Sequence, residues 1–240
     1  MKNLIPHYIQ DRLQEGQTKG ALQAYTLFVD LSGFTPLTEA LMRQGTRGAE
    51  QLTNVLNEIF EPLVHLVYFK GGFIPYFAGD AFTAIFPAEE AEDRGQDIIR
   101  AAMLARHLFS KREFRFGNFT IGIKFGLSYG DVEWGIVGAN AHKSFYFRGL
   151  PIDQCAQCQL KANDQDIVVD EVLSQQLKQE GFFLKKLEEG FYKVWGLLPE
   201  DEKVLPERAD VPELDRDVVL QFLPEAVASY QQDGEFRTVI

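Results

Sequence analysis

The stretch Ala24 to Thr35, AYTLFVDLSGFT, constrains the fold of this chain more than any other. Tyr25 to Val29 is an apolar run of aromatic and branched side chains, the pattern of a buried strand. Asp30 ends that run. Ser32-Gly33 supplies turn chemistry, and Thr35-Pro36 reads as the opening of a helix, with Thr in the cap position and Pro at the first helical position. A carboxylate is therefore expected at the end of a buried strand, beside N–H groups that a helix start leaves unbonded. Such a place can hold a divalent cation on Asp30 and a polyphosphate on the N–H groups. Taken alone, Asp30 reads equally well as a turn or cap residue.

The flanking chain sets the architecture around this strand. Residues 1 to 22 read as a short amphipathic helix, with Leu4, Tyr8, Ile9 and Leu13 on one face, followed by a polar turn. Leu37 to Gln44 reads as a short helix broken at Gly45-Thr46. Gly48 to Phe69 follows as a long one, since Leu52, Val55, Leu56, Ile59 and Leu63 recur at helical spacing. Phe73 to Phe77 and Ala81 to Phe86 form a hairpin pattern over Ala78-Gly79-Asp80. A charged, solvated segment, Glu89 to Arg94, precedes a helix over Asp97 to Phe109. Phe119 to Ser128 alternates as a strand, and Gly130 is expected to turn the chain into a second strand, Val132 to Val137.

A short strand at Ser144 to Phe147, a helix at Leu150 to Lys161, a strand at Ile167 to Val169 and a helix at Val172 to Gln179 come next. Phe182 to Leu187 and Phe191 to Trp195 close the series as a hairpin. Frequent hairpins among helices imply an α/β (α+β) fold, a mixed, mainly antiparallel sheet with helices packed against it, and not a regular βαβ repeat. Beyond Leu197, Pro199, Pro206 and Pro212 lie among many charges and read as a linker, with one helix over Asp217 to Tyr230.

Composition narrows the function. A net charge of −11 argues against a general nucleic-acid or anionic-membrane binder, although a local pocket with a metal can still take a nucleotide. No apolar run is long enough for a membrane span, and the N-terminus lacks the apolar core of a signal peptide, so a cytoplasmic location is expected. The two cysteines, Cys155 and Cys158, cannot form a four-ligand zinc site alone and read as small apolar residues on a helix. His65 and His107 have no zinc spacing, Lys124 and Arg148 are lone basic residues near strands, and Trp134 and Trp195 read as packing residues. The informative pair is Asp30 and Asp80, each where an apolar run meets a glycine-containing turn. If the first strand lies beside the hairpin, both carboxylates meet at one edge. With a triphosphate they could hold one or two magnesium ions. Asp80 alone reads as a hairpin corner.

Phe28-Val-Asp-Leu-Ser-Gly-Phe-Thr35 resembles the metal-binding signature of the class III nucleotidyl cyclases, and Phe77-Ala-Gly-Asp80-Ala-Phe82 resembles their second metal segment. Gly126 to Gly138 is similar to the hairpin before the family's third motif. The resemblance covers about residues 23 to 197 and implies a ferredoxin-like cyclase fold, two ions of Mg2+ or Mn2+, and a wreath-like dimer with the active site between two homologous domains. It implies metal binding by Asp30, Asp80 and the Leu31 carbonyl, and a phosphate cradle at Ser32, Gly33, Phe34 and Thr35. In the implied reaction, the ribose 3′-hydroxyl attacks the α-phosphate and expels pyrophosphate.

At the positions that serve the partner's half of such a site, the sequence departs from the family pattern. Tyr76 stands where the base-recognising lysine belongs, and Tyr146 at the other base-selecting position. Asp153 replaces the transition-state asparagine and Gln157 the transition-state arginine. Asp cannot donate an amide hydrogen bond, and Gln cannot neutralise charge as a guanidinium does. Losing one such stabiliser costs about 10²–10³ in rate, so a symmetric homodimer should be very slow.

This pattern is similar to the first domain of tandem, soluble adenylyl cyclase-like proteins, and implies ATP ahead of GTP as the substrate and a second cyclase domain, or a homodimer partner, as the complement. Bicarbonate regulation is not carried over, since Tyr76 and Ala156 stand at its lysine and arginine positions. The expected division is an N-terminal extension (1–22), a cyclase homology domain (23–198), a linker with a helix (199–235) and the start of a second cyclase domain (236–240). The alternative is a catalytically inactive module that keeps the cyclase fold for dimerisation or nucleotide sensing.

Overall fold

The computed structural model describes residues 5–88, 94–112, 115–116, 118–139, 143–196 and 215–223. Residues 89–93, most of the expected linker and the C-terminal stretch lie outside the described residues. Of the helix expected over 217–230, a short piece is described.

The first strand, β1 (Lys19–Ser32), is longer than its apolar run suggests. It is antiparallel to β3 (Ala81–Pro87) on one side and to β6 (Gly122–Val137) on the other, so both of its edges are hydrogen-bonded over Ala24 to Asp30. With β2 (Phe73–Ala78), β8 (Ile167–Asp170), β9 (Phe183–Glu188) and β10 (Phe191–Trp195), these strands give the order β2-β3-β1-β6-β8-β10-β9. β7 (Ser144–Arg148) pairs with the far half of β6, completing eight strands. Every pairing is antiparallel except β6 with β8. A separate two-stranded ribbon joins β4 (Arg115–Phe116) and β5 (Phe119–Thr120).

Strand alternation decides which side chains meet which helices. Tyr25, Leu27, Val29 and Leu31 point to one face of the sheet. They share a core there with α2 (Phe34–Met42), α3 (Thr46–Phe69), α4 (Arg94–Arg112) and α6 (Glu171–Gln179). Leu22 and Ala24 point to the opposite face, against Ile9 of α1 (His7–Gln14). α5 (Leu150–Leu160) lies on that opposite face, where Cys158 packs against Val168 and buried Thr26 donates to the Pro151 carbonyl at 2.7 Å. α7 (Arg216–Leu220) adds Val218 and Val219 to a small cluster with Ile5. Apart from the β4–β5 ribbon, the segment from β1 through α2, α3, β2, β3 and α4 to β6 has the β-α-β-β-α-β order of the ferredoxin-like fold that the family resemblance implied.

Two local expectations are corrected. Gly130 does not turn the chain: β6 runs through it as one strand of 16 residues. Its glycine answers a backbone need, φ +153°, and a Cβ there would also stand 3.1 Å from Cγ of Pro151 at the start of α5. The helix after β1 starts at Phe34 with Gly33 as its cap, so Thr35 and Pro36 lie inside the first turn and no side chain caps it. Gly33 adopts φ +78°, ψ +5°, a left-handed conformation that a glycine enters without the strain a Cβ imposes.

Candidate active site

Sheet pairing places Asp30 beside the turn that carries Asp80. Asp30 lies opposite Ala81 on β3, and the Leu31 N–H donates to the Asp80 carbonyl at 3.2 Å. Asp80 ends the Ala78-Gly79-Asp80 turn at the mouth of the hairpin. Asp30 is half-buried and its carboxyl is pushed above the usual carboxylate range. Burial is the main cause, the negative charge of Asp80 adds to it, and Lys124 partly offsets it. Lys124 is the residue directly opposite Asp30 on β6. Leu31 turns its side chain into the core, with 3% of its surface exposed.

The turn that follows is tightly seated. At Gly33 a Cβ would come within 2.6 Å of the Thr120 carbonyl. Phe34 is buried, whereas Thr35 is exposed beside it. Ser32, Gly33, Phe34 and Thr35 thus run from the end of β1 into the first turn of α2, the part of a helix whose N–H groups lack intrahelical partners.

The four departing positions sit elsewhere. Tyr76 is on edge strand β2. Its hydroxyl accepts from the Phe147 N–H at 2.7 Å, and its ring stacks on Phe145 at a centroid distance of 6.3 Å. Burial raises the pKa of that hydroxyl. Tyr146 is on β7, with the Arg148 guanidinium 5.8 Å from its ring centroid. Asp153 and Gln157, one turn apart, are exposed on α5. Cys155 and Cys158 are buried on the same helix, and burial pushes the Cys155 thiol up to about 12, so both remain protonated.

Sequence reasoning missed Gln159. Its Nε2 donates to Oδ2 of Asp30 at 2.7 Å, from a side chain with only 7% of its surface exposed. A signal was available: Gln159 shares the inner face of α5 with Cys155 and Cys158, and a polar residue on a buried face needs a polar partner.

The sequence profile of the adenylate and guanylate cyclase catalytic domain matches residues 19–203. The chain belongs to that family. Human adenylate cyclase type 10 is 32% identical over 147 residues, which are 60% of this chain and 9% of the human protein. The adenylate cyclase, terminal-differentiation specific, of Dictyostelium discoideum is 30% identical over 114 residues, 46% of this chain and 5% of that protein. This cyclase domain therefore corresponds to a small part of these relatives. Among solved structures, the adenylyl cyclase CyaB from P. aeruginosa superposes with a TM-score of 0.62 at 16% identity, over 74% of this chain and 96% of that one. The dimeric guanylyl cyclase domain of the RhoGC fusion protein from Blastocladiella emersonii gives 0.61 at 18% identity, over 75% and 97%. At these identities the likeness is one of fold: a mixed α/β domain with a largely antiparallel sheet and packed helices.

Among the described residues, no group of three or more His, Cys, Asp or Glu side chains gathers as a metal site. No helix among them is long and apolar enough to cross a membrane.

Proposed function

We propose that this cyclase domain supplies the metal-holding half of an active site that converts ATP to cyclic AMP and pyrophosphate, and that a complementary cyclase domain supplies the other half. The observation that carries the reading is the pairing of Asp30 with the Asp80 hairpin: two carboxylates near enough for the charge of one to raise the pKa of the other. Like charges held together in a half-buried place favour a cation between them. Asp30, Asp80 and the Leu31 carbonyl offer hard oxygen donors, a set suited to magnesium or manganese ions that take their remaining ligands from water and a triphosphate. Bound there, such ions would supply charge neutralisation and a more acidic attacking hydroxyl. The chain's own part is to fix the carboxylates through the β1–β3 ladder and to offer the N–H groups of Ser32, Gly33, Phe34 and Thr35 to phosphate oxygens.

The other half of the reaction needs donors and cations that this chain does not place at positions 76, 146, 153 and 157. Tyr76 spends its hydroxyl on the β7 backbone. Asp153 would add negative charge near phosphates, and Gln157 carries none to offset it. A tandem partner domain with Lys, Asn and Arg at the corresponding positions completes the site. The same reading puts the domain in the cytoplasm, where ATP and magnesium are found together. Tyr76 also supports a second reading, in which the domain serves as a catalytically inactive scaffold, since its side chain is tied to the β7 backbone and to Phe145.

Mixing the chain with such a complementary domain, Mn2+ and ATP, and measuring cyclic AMP, separates the two. The expected result is activity that falls at least about 100-fold in Asp30→Ala. Activity indifferent to that change would sink the metal role.

A further inference from the structure

The last turn of α5 and the turn that joins it to β8 approach the end of β1 closely. Asp30 and Ser32 stand two residues apart on one face of β1, and each meets a polar side chain from this segment. Gln159 donates to Asp30 Oδ2 at 2.7 Å. Asp164 Oδ1 accepts from the Ser32 hydroxyl at 3.0 Å and from the Ile123 N–H at 2.9 Å.

The backbone is shaped for both contacts. The Gln165 N–H donates to the Ile123 carbonyl at 2.7 Å, and the Phe125 N–H to the Asp166 carbonyl at 3.0 Å, so the turn is laced to β6. Gln165 adopts φ +62°, the one non-glycine residue with a positive φ among the described residues. Few residues other than glycine adopt that conformation. Buried Asp166 anchors the turn from beneath, in an ion pair with Lys193. Two glycines of β6 clear the approach. At Gly122 a Cβ would lie 1.7 Å from Asp164 Oδ1 and 2.4 Å from the Ser32 hydroxyl. At Gly126 it would lie 2.0 Å from the Cys155 carbonyl and 2.4 Å from the Gln159 nitrogen.

We infer that Gln159 and Asp164 are positioning residues of the metal half-site: Gln159 fixes the rotamer of Asp30 for a divalent cation, and Asp164 fixes Ser32 so that the turn presents its N–H groups to phosphate. The inference rests on the metal reading of Asp30 given above. A carboxylate whose second oxygen is held by a donor meets a cation in one orientation, and loss of such support costs metal affinity about 10–100-fold in metalloproteins. Asp164 has a sign that tells its role apart. A carboxylate acting only through its charge would repel a polyphosphate, so removing it would tighten binding. A carboxylate that orders the turn does the reverse.

The 240-residue chain is titrated with Mn2+ alone, followed by electron paramagnetic resonance, and then with inorganic tripolyphosphate at saturating Mn2+. Gln159→Met keeps side-chain length and removes the donor; it should weaken Mn2+ about 10-fold at a temperature where its own metal-free melting curve shows it folded. Asp164→Ala, on an exposed turn, should weaken tripolyphosphate several-fold. Asp30→Asn is the control for the underlying reading. If Asp30→Asn weakens Mn2+ while Gln159→Met binds as the unaltered chain does, and Asp164→Ala binds tripolyphosphate equally or more tightly, the positioning inference is overturned and the metal reading stands. If the unaltered chain binds no Mn2+, or Asp30→Asn binds it equally well, both fall together.

Discussion

Asp30 answers two opposed demands. Folding would rather have it neutral, and cation binding needs it ionised. Its folded pKa lies above the ordinary aspartate value because of burial first and Asp80 second. The ionised carboxyl therefore destabilises the native state, fully so above the folded pKa, and the cost is relieved as the pH falls through that raised value. Asp30→Asn keeps an acceptor for Gln159 and removes the charge. In metal-free buffer it should stabilise the chain at neutral pH, by less than about 1 kcal/mol because a half-exposed charge is screened by solvent. The gain should fade on acidification and vanish below about pH 3.9, where Asp30 is protonated in both states. Urea unfolding at a series of pH values measures it; a gain that grows towards acid would contradict the pKa direction. Tyr76 offers a second case. Restoring a lysine there removes the acceptor of the Phe147 N–H and the stacking on Phe145. Tyr76→Lys should cost about 1 kcal/mol in the same assay, the net worth of one partly buried hydrogen bond.

At the scale of elements, α5 is the part on which both sides of the site depend. Its inner face reaches Asp30 through Gln159, and its outer face exposes Asp153 and Gln157. Contact is close because β6 has glycine where the helix backbone crosses it. Gly126→Ala would drive a methyl group into the Cys155 carbonyl and the Gln159 nitrogen, both backbone atoms that cannot rotate away. The expected loss is about 1–3 kcal/mol, read from chemical denaturation, and the displaced Gln159 should no longer reach Asp30. The pattern of β6 was legible as strand on both sides of Gly130, yet its continuity was not. A lone glycine in an alternating run signals a turn or a strained point within a strand with the same letter, and only the tertiary setting, here φ +153° beside Pro151, distinguishes them. The cap of α2 was misplaced for a related reason: Thr35-Pro36 is a strong local start signal, and the left-handed Gly33 with Thr120 pressed against it begins the helix earlier.

For the whole molecule, the sheet separates two helical layers, and the proposed half-site lies where β1, an interior strand, leaves the sheet. If the chain is one half of a two-domain site, restoring the absent groups should let copies of this chain complete one another. The triple variant Tyr76→Lys, Asp153→Asn, Gln157→Arg should form cyclic nucleotide on its own at least about 100-fold faster than the unaltered chain. An equal rate in a folded triple variant would mean that more than these groups is missing. The sequence by itself determined the buried first strand, the helices around it, the mixed sheet and the pair of aspartates, because apolar period and turn residues are local signals. It also showed the departures at Tyr76, Tyr146, Asp153 and Gln157, since those are matters of residue identity. Tertiary structure alone decided that Leu31 bonds to Asp80, that Lys124 faces Asp30, and that Gln159 and Asp164 hold the end of β1. Residues 30 and 159 are far apart in the chain, and no local preference encodes a contact made only when a helix crosses a strand at a glycine.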